Sequence, residues 1–258
     1  LYAVHLTPKG SSYLGRVEEF ASAQPFPLTD LVVNPEDGAM YVAVGGRKVQ
    51  SGLYRVTYVG EESTAPAKSV PGGEEARKRR QALEKFVQRG VKPASQNQLN
   101  KIWSALGAHD RGIRHAARVA LEKQPVANWK KKLLPETNSV IASAAMIALA
   151  RADGKSSSDV LTKAMSLNYR TEKNWQQRID LLRSITLALT RGGEPQAEQK
   201  KKLIAWLDRI YPASTPEENR DLSAIMQFLQ APSAARKGLA LLRGASGQEE
   251  QIGYALNL

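Results

Sequence analysis

The sequence predicts an α+β protein of more than one domain, in which a short antiparallel β-meander precedes an all-α domain. Three observations predict this fold class. Residues 1–60 alternate apolar and polar side chains between turn-forming residues, as strands do. Residues 61–73 contain Pro, Ser and Gly without periodicity and indicate a linker. Over residues 74–258 the apolar spacing changes to the helical period.

Five strands are predicted before the linker. The clearest turn between them is Asn34-Pro35-Glu36-Asp37-Gly38, since Pro presets φ and Asp-Gly accepts the reversal. Five strands cannot bury both sheet faces, and the first would leave an exposed edge. The chain also begins in mid-pattern without Met, so we expect a fragment whose edge is covered by an upstream sequence or a second chain. The predicted strands are Leu1–Thr7, Tyr13–Ala21, Leu28–Val33, Met40–Val44 and Leu53–Val59.

Eleven helices are predicted after the linker. Several have capping residues, such as Thr215 before Pro216, with a Glu placed to return the capping bond. The predicted helices are Glu74–Gln88, Ser95–Leu106, Arg111–Lys123, Val126–Leu134, Ser139–Ala152, Ser157–Ser166, Asn174–Arg191, Gln196–Ile210, Pro216–Gln230, Pro232–Arg243 and Gly247–Leu256.

An internal repeat links two of these helices at an offset of 28 residues. Asp110–Leu121 aligns with Asn138–Leu149, and each copy has an Asp or Asn cap followed by small residues where helices approach closely. Helix pairs with an alanine seam are typical of α-solenoids, and the pattern resembles the second helix of HEAT repeats. Because later helices leave this register, we expect an irregular HEAT-like helical-repeat domain.

The chain is basic and lacks cysteine. It has 37 Lys and Arg against 25 Asp and Glu, a net charge of +12, with blocks at 77–80, 130–132 and 200–202. We interpret the blocks mainly as solvated helix faces, and nucleic-acid binding as a minor hypothesis. The absence of Cys excludes disulfides, thiolate zinc sites, iron–sulfur clusters and CxxCH haem attachment within these residues. No apolar run approaches the roughly 18 residues of a membrane span.

No complete catalytic constellation is predicted. His109 and His115 are six residues apart and off a common helix face, and adjacent glutamates such as Glu18 and Glu19 point to opposite sides of a strand. No Ser lies in a GxSxG elbow, and there is no Gly-rich phosphate loop. We therefore predict no catalytic residues and no metal ligands.

Two regions carry a family resemblance, one among the predicted strands and one among the predicted helices. Leu28–Tyr41, then Gly45-Gly46-Arg47 and Gln50–Val56, resemble a final propeller blade, and His109–Pro125 and Ala231–Tyr254 resemble the helical region that follows it. The similar proteins are the large membrane-bound dehydrogenase-like proteins of planctomycetes and verrucomicrobia. Those resemble a sugar-dehydrogenase-type propeller followed by a HEAT-like region and often a C-terminal c-type haem domain.

The resemblance implies a periplasmic or extracellular protein whose first 60 residues are terminal propeller strands. Most of the propeller and the CxxCH motif are missing, so no cofactor is expected in this chain, while the parent would carry haem c and a quinone-type cofactor. Propeller ligands usually sit where loops such as Gln24–Pro27 and Gly45–Gly52 meet. We therefore predict Arg47, Lys48 and Gln50 as the residues that would contact a polar ligand or cofactor.

Three functions are open at this point. The first is a non-catalytic scaffold or interaction segment of a larger extracytoplasmic sugar- or alcohol-dehydrogenase-like, haem-linked protein. Its partners would be the remaining propeller and haem domains, a companion chain or other proteins. The second is a contribution to an oxidoreductase active site that missing blades complete. The third is a basic helical-repeat module that binds nucleic acid, with affinity that falls steeply as salt rises.

Overall fold

The chain forms two compact units, Leu1–Arg77 and Lys78–Leu258. The structure is a computed structural model that describes residues 1–65, 68, 70–170, 172 and 174–258. All strands of the described residues lie in the first unit, and helices dominate the second, which confirms the α+β class. The predicted linker includes residues 66, 67 and 69, which lie outside the described residues.

The first unit contains two separate antiparallel sheets in place of one five-stranded meander. The first two strands form a hairpin, and the next three form a sheet in the order β3-β4-β5. The segment between the sheets contains Pro25 and Pro27, which have no N–H to continue a ladder. The strands are β1 (Tyr2–Lys9), β2 (Ser12–Glu19), β3 (Leu28–Val33), β4 (Met40–Gly46) and β5 (Val49–Val56).

Ten α-helices lie in the described residues. Ten of the eleven predicted helices correspond to them, with ends that differ by a few residues. The helices are α1 (Glu74–Glu84), α2 (Gln96–Ala105), α3 (Arg111–Glu122), α4 (Ser139–Ala152), α5 (Ser157–Ser166), α6 (Trp175–Gly192), α7 (Ala197–Asp208), α8 (Pro216–Phe228), α9 (Ala234–Gly244) and α10 (Gln248–Ala255).

The predicted helix Val126–Leu134 is wrong. The segment forms two short 3₁₀ turns, Val126–Asn128 and Lys130–Lys132, separated by Trp129 at φ −134°. That backbone conformation carries the Trp129 side chain into full burial, with its indole N–H 3.4 Å from the Gln124 carbonyl oxygen. Burial of the large ring therefore outweighs the helical propensity of the flanking lysines.

The helices of the second unit contact one another as two rows. In the first row α3 contacts α4, α4 contacts α6, α6 contacts α8, and α8 contacts α10. The second row contains α2, α5, α7 and α9, each packed on a first-row helix. Within the described part of the chain, none of these helices combines the length and apolar character that crossing a membrane requires.

Each contact between first-row neighbours includes a polar link. These links join side chains of successive helices, or of the residues just after α10, across the apolar contact. The linked pairs are Arg151 with Glu122 at 3.0 Å, Ser139 with Gln177 at 3.0 Å, Arg178 with Glu218 at 2.6 Å, and Asn257 with Ser223 at 3.0 Å.

Alanines form the contact surface between α3, α4 and α6, as the internal repeat predicts. Both copies of the repeat begin with a capping side chain. Asp110 accepts a hydrogen bond from the Ile113 amide, and Asn138 accepts one from the Val140 amide, both at 3.0 Å. The buried alanines of the two copies are Ala116, Ala117 and Ala120 in α3, and Ala142, Ala145 and Ala148 in α4. Small side chains let these helix backbones approach closely.

We predict that enlarging a buried alanine destabilises the second unit. Ala145 is fully buried in α4, so Ala145→Leu should lower the free energy of unfolding by about 1–3 kcal/mol through overpacking. The exposed Ala152 at the end of the same helix gives a matched control, for which Ala152→Leu should change it by less than about 0.5 kcal/mol. Urea unfolding followed by circular dichroism measures both. Equal effects of the two substitutions would contradict the assignment of the seam.

Candidate functional site

The three predicted ligand-binding residues lie at the β4–β5 hairpin. Arg47 and Lys48 form its two-residue turn, and Gln50 lies within β5. Lys48 has φ 65°, a left-handed conformation that is uncommon for residues other than glycine. All three side chains are exposed. Their role as ligand contacts stays a prediction.

The predicted Gly45–Gly52 loop is shorter than expected, because its glycines pair with the neighbouring strand. Val44 pairs with Gly52 and Gly46 with Val49, with a bulge at Gly45. A Cβ on Gly45 would lie 2.9 Å from the Ser51 hydroxyl, so this close pairing depends on glycine. The Gly45 amide also donates to the Pro27 carbonyl at 2.9 Å. The two loops that we expected to meet are therefore adjacent.

One face of the β1–β2 hairpin is apolar and exposed. In the antiparallel register Val4 pairs with Val17, and Leu6 pairs with Gly15 on the same face, with Tyr2 at its end. Val4 is 54%, Leu6 is 56% and Val17 is 61% exposed. We name this surface, Tyr2, Val4, Leu6, Tyr13 and Val17, the hairpin apolar face. An isolated two-stranded hairpin is marginal in water, so such a face calls for a packing partner.

The opposite face of the hairpin is polar. His5 lies opposite Arg16, and the His5 ring nitrogen contacts the Glu18 carboxylate at 2.7 Å. The large apolar side chain on this polar face is that of Leu14, which lies opposite Thr7 and is 52% exposed. The two faces of one hairpin therefore differ in character.

The three-stranded sheet also exposes apolar side chains, and here both faces carry them, with Val32 and Leu53 exposed on the face that also carries Arg55. Its register places Leu31, Val42 and Tyr54 side by side on one face, with Val33, Met40 and Val56 beside them. Val42 in the central strand is buried, while Leu31 and Tyr54 at the edges are exposed. Only the middle of this apolar face is covered.

In the second unit, α3, α4 and α6 enclose a groove of about 280 Å³. One wall is basic and comes from Arg111, Arg114, His115 and Arg118 of α3. These positions recur at i, i+3, i+4 and i+7, so they share one helix face. The sequence contained this signal, which we did not interpret as a site. We name the feature the arginine groove.

The rest of the groove combines an apolar floor with a polar wall. Val140, Ala144 and Ile147 of α4 form the floor, each partly exposed, at the same helical spacing. Gln176 and Asp180 of α6 form the second wall, and the Gln176 amide donates to the Asp180 carboxylate at 3.4 Å. A carboxylate thus lies across from the arginines.

Two of the arginines are held in place by acceptors of their own. Arg114 donates to the carbonyl oxygens of Ala108 and His109, both at 2.7 Å, and Arg118 donates to Glu122. Because a guanidinium has five N–H groups, both retain donors for a further ligand. These contacts fix the direction of the basic wall.

Arg111 and Asp180 complete the electrostatics of the groove. Arg111 is exposed, and the described residues offer its guanidinium no hydrogen-bond or ion-pair partner. Burial raises the pKa of Asp180, and the Gln176 hydrogen bond and the charges of Arg114, Arg111 and Arg118 only partly oppose this. Glu122 pairs with Arg118, so Arg111 and Arg114 against Asp180 leave the lining of the groove net positive at neutral pH.

The basic blocks are not part of this groove. Lys130 pairs with Asp159 at 2.5 Å, and Lys132 donates to Asn100 at 2.6 Å. In the third block, Lys200 pairs with Glu194, and Lys202 with Glu198. Lys130, Lys200 and Lys202 are thus neutralised by nearby carboxylates, whereas Lys132 donates to an uncharged amide.

A buried ionic cluster joins α6 to α8. The Glu218 carboxylate is 1% exposed and accepts hydrogen bonds from the Tyr169 hydroxyl at 2.5 Å, the Arg178 guanidinium at 2.6 Å and the Thr215 hydroxyl at 2.9 Å. Burial by itself raises the pKa of Glu218, but these donors outweigh it and hold the pKa below its ordinary 4.5. Burial and the same carboxylate raise the pKa of Tyr169.

This cluster is structural in character, because its donors and acceptors satisfy one another. Its sequence signal was partly visible, since Thr215 and Glu218 were predicted as a cap and its partner. The Thr215 hydroxyl does accept from the Glu218 amide at 3.3 Å. The contribution of Arg178, forty residues earlier, was missed because only tertiary packing brings it there.

Comparisons with known proteins assign no function to the chain. No family model matches the chain, and no curated protein is significantly similar to it. In the described part of the chain, no group of three or more His, Asp or Glu side chains forms a candidate metal site.

We predict that Glu218 makes stability depend on pH in the acid range. Because its pKa is lower in the folded chain, its stabilisation is present above the unfolded pKa near 4.5 and is lost as pH falls through the folded pKa. Glu218→Gln should lower the free energy of unfolding by about 3–5 kcal/mol at pH 7, because Arg178 is left without its charged partner, and by less at pH 3. Urea unfolding of wild type and variant at both pH values measures this difference.

The exposed neighbour Glu217 gives the control, and Glu217→Gln should change stability little at either pH. If Glu218→Gln lowers the free energy of unfolding by the same amount at pH 3 as at pH 7, the ionised carboxylate is not the stabilising species.

Proposed function

We propose that this chain is a non-catalytic interaction segment of a larger protein, in which its β unit packs against further β-structure and its helical unit serves as a scaffold. The observation that carries this proposal is the hairpin apolar face. Tyr2, Val4, Leu6 and Val17 are each more than half exposed on a hairpin of two strands. A partner that covers this surface would gain binding free energy, because burial of apolar area is the main favourable term in association.

The partner that fits this face is another sheet. Strands packed face to face bury alternating apolar side chains, which is the pattern that β1 and β2 present. The exposed Leu31, Val33 and Tyr54 of the three-stranded sheet support the same interpretation, because the register places them on one face of it. Terminal strands of a β-propeller would have these surfaces.

The two rows of helices support the scaffold role. Successive first-row helices are neighbours, and the alanine seam recurs in α3 and α4, as in a helical-repeat array. We propose a HEAT-like repeat with irregular spacing. Such arrays present long surfaces on which partners bind, and their stability comes from nearest-neighbour contacts.

The parent that we propose is the extracytoplasmic, dehydrogenase-like, haem-linked type that the sequence resembles. The order of a β unit followed by a helical unit supports this proposal. The haem c and quinone-type cofactor would be carried by the parent. In this setting Arg47, Lys48 and Gln50 would lie at the ligand-side loops of the propeller.

Side-chain footprinting tests the proposal directly. The 258-residue chain alone and the assembly purified from its natural source through an antibody are exposed to hydroxyl radicals, and oxidation is mapped by mass spectrometry. We predict that oxidation of Leu6 and Val17 falls severalfold in the assembly. Leu14, exposed on the opposite face, is the matched control and should stay reactive.

The same preparation reveals the partner by intact mass and by haem absorbance. A partner with further β-strands and bound haem would support the proposed parent. Equal oxidation of Leu6, Val17 and Leu14 in both samples would refute the packing of the hairpin apolar face.

A further inference from the structure

The arginine groove has no place in the function proposed for the β unit, and its chemistry points to a ligand of its own. We propose that it binds a short extended segment of a protein partner, in which acidic side chains flank an apolar side chain. The inference uses only the second unit and stands independently of the hairpin apolar face.

The acidic part of the segment follows from the basic wall. Arg111, Arg114 and Arg118 line it, and Arg111 is exposed and has no ion-pair or hydrogen-bond partner in the described part of the chain. Arg114 and Arg118 are already oriented by their carbonyl and carboxylate acceptors. A guanidinium fork suits a carboxylate, and preoriented donors lose little entropy on binding.

The apolar part follows from the floor. Val140 and Ile147 are seven residues apart on α4, which is about 10 Å along a helix axis. An extended chain covers that distance in about three residues. The groove can therefore hold a segment whose apolar side chain contacts the floor while its neighbouring acidic side chain contacts the basic wall.

A protein segment fits better than nucleic acid. Asp180 lies across from the arginines and would repel a run of phosphates, whereas it can accept a hydrogen bond from a peptide amide. No Phe, Tyr or Trp lines the groove, and His115 supplies its one ring, so bases find little stacking surface there. Of the lysine blocks that would extend a phosphate path, Lys130 and Lys200 are paired with Asp159 and Glu194.

A binding titration on the full 258-residue chain tests this proposal. The probe is a fluorescein-labelled peptide of three Glu-Leu repeats at 150 mM salt, followed by anisotropy up to 1 mM protein. A peptide of three Gln-Leu repeats is the uncharged control. A labelled single-stranded oligonucleotide of twelve bases is the competing ligand. The proposal expects saturable binding of the acidic peptide and at least tenfold weaker binding of the other two.

Variants locate the binding in the groove. Arg111→Gln should lower the affinity for the acidic peptide about tenfold, as expected for the loss of one charge-assisted contact. Asp180→Asn should raise the affinity for the acidic peptide about threefold, because it removes the repulsion between two carboxylates. A damaged fold would not bind the peptide more tightly. Lys201→Gln removes an exposed charge from α7 and should change affinity less than twofold.

Equal losses from Arg111→Gln and Lys201→Gln would overturn the proposal, because they would indicate diffuse attraction to net charge. Absence of acidic-peptide binding at 1 mM would also overturn it. An oligonucleotide that binds more tightly than the peptide, and loses affinity in Arg111→Gln, would assign the groove to nucleic acid instead. Unchanged thermal unfolding of each variant confirms that the comparison concerns folded protein.

Discussion

Close packing of α4 between α3 and α6 is the constraint on which the helical unit depends. The buried faces of α3 and α4 consist largely of alanine, so the helix backbones approach closely and few side-chain rotamers are lost. Alanine is also the best helix former, so the same residues favour the helices and their contact. This packing decides which residues face outward, and it places Val140, Ala144 and Ile147 beside the arginines of α3.

Polar links add specificity to this packing. Each first-row contact has one, and the Glu218 cluster is the most buried, with four bonding groups that satisfy each other. A buried pair of this kind adds little to net stability compared with apolar residues, but losing one partner is costly. We therefore regard the cluster as a device that fixes the position of α8 relative to α6. The arginine groove, by contrast, has exposed Arg111 donors without a protein acceptor in the described residues, which is why we propose it as a binding surface.

Sequence reasoning was most successful where local physics decides the structure. The capping residues Asp110, Asn138 and Thr215 mark helix starts because they act on amides two or three residues away. It failed at Trp129, where burial of one ring interrupts a helix, and at the β-meander, which divides into two sheets. Arg178 and Glu218 are forty residues apart, so only the fold brings them together. The arginines of α3 were visible at helical spacing, but the floor and the opposite wall come from other helices.

We propose that this protein works through surfaces that recognise other proteins, with the arginine groove as the most defined of them. Methyl-resolved NMR of the full chain, labelled at Ile and Val and titrated with the acidic peptide, tests this most directly. We predict that the methyl signals of Ile147 and Val140 shift and saturate together, while those of Ile204 on α7 stay in place. Shifts confined to methyl groups outside the groove, or spread evenly over the helical unit, would contradict it.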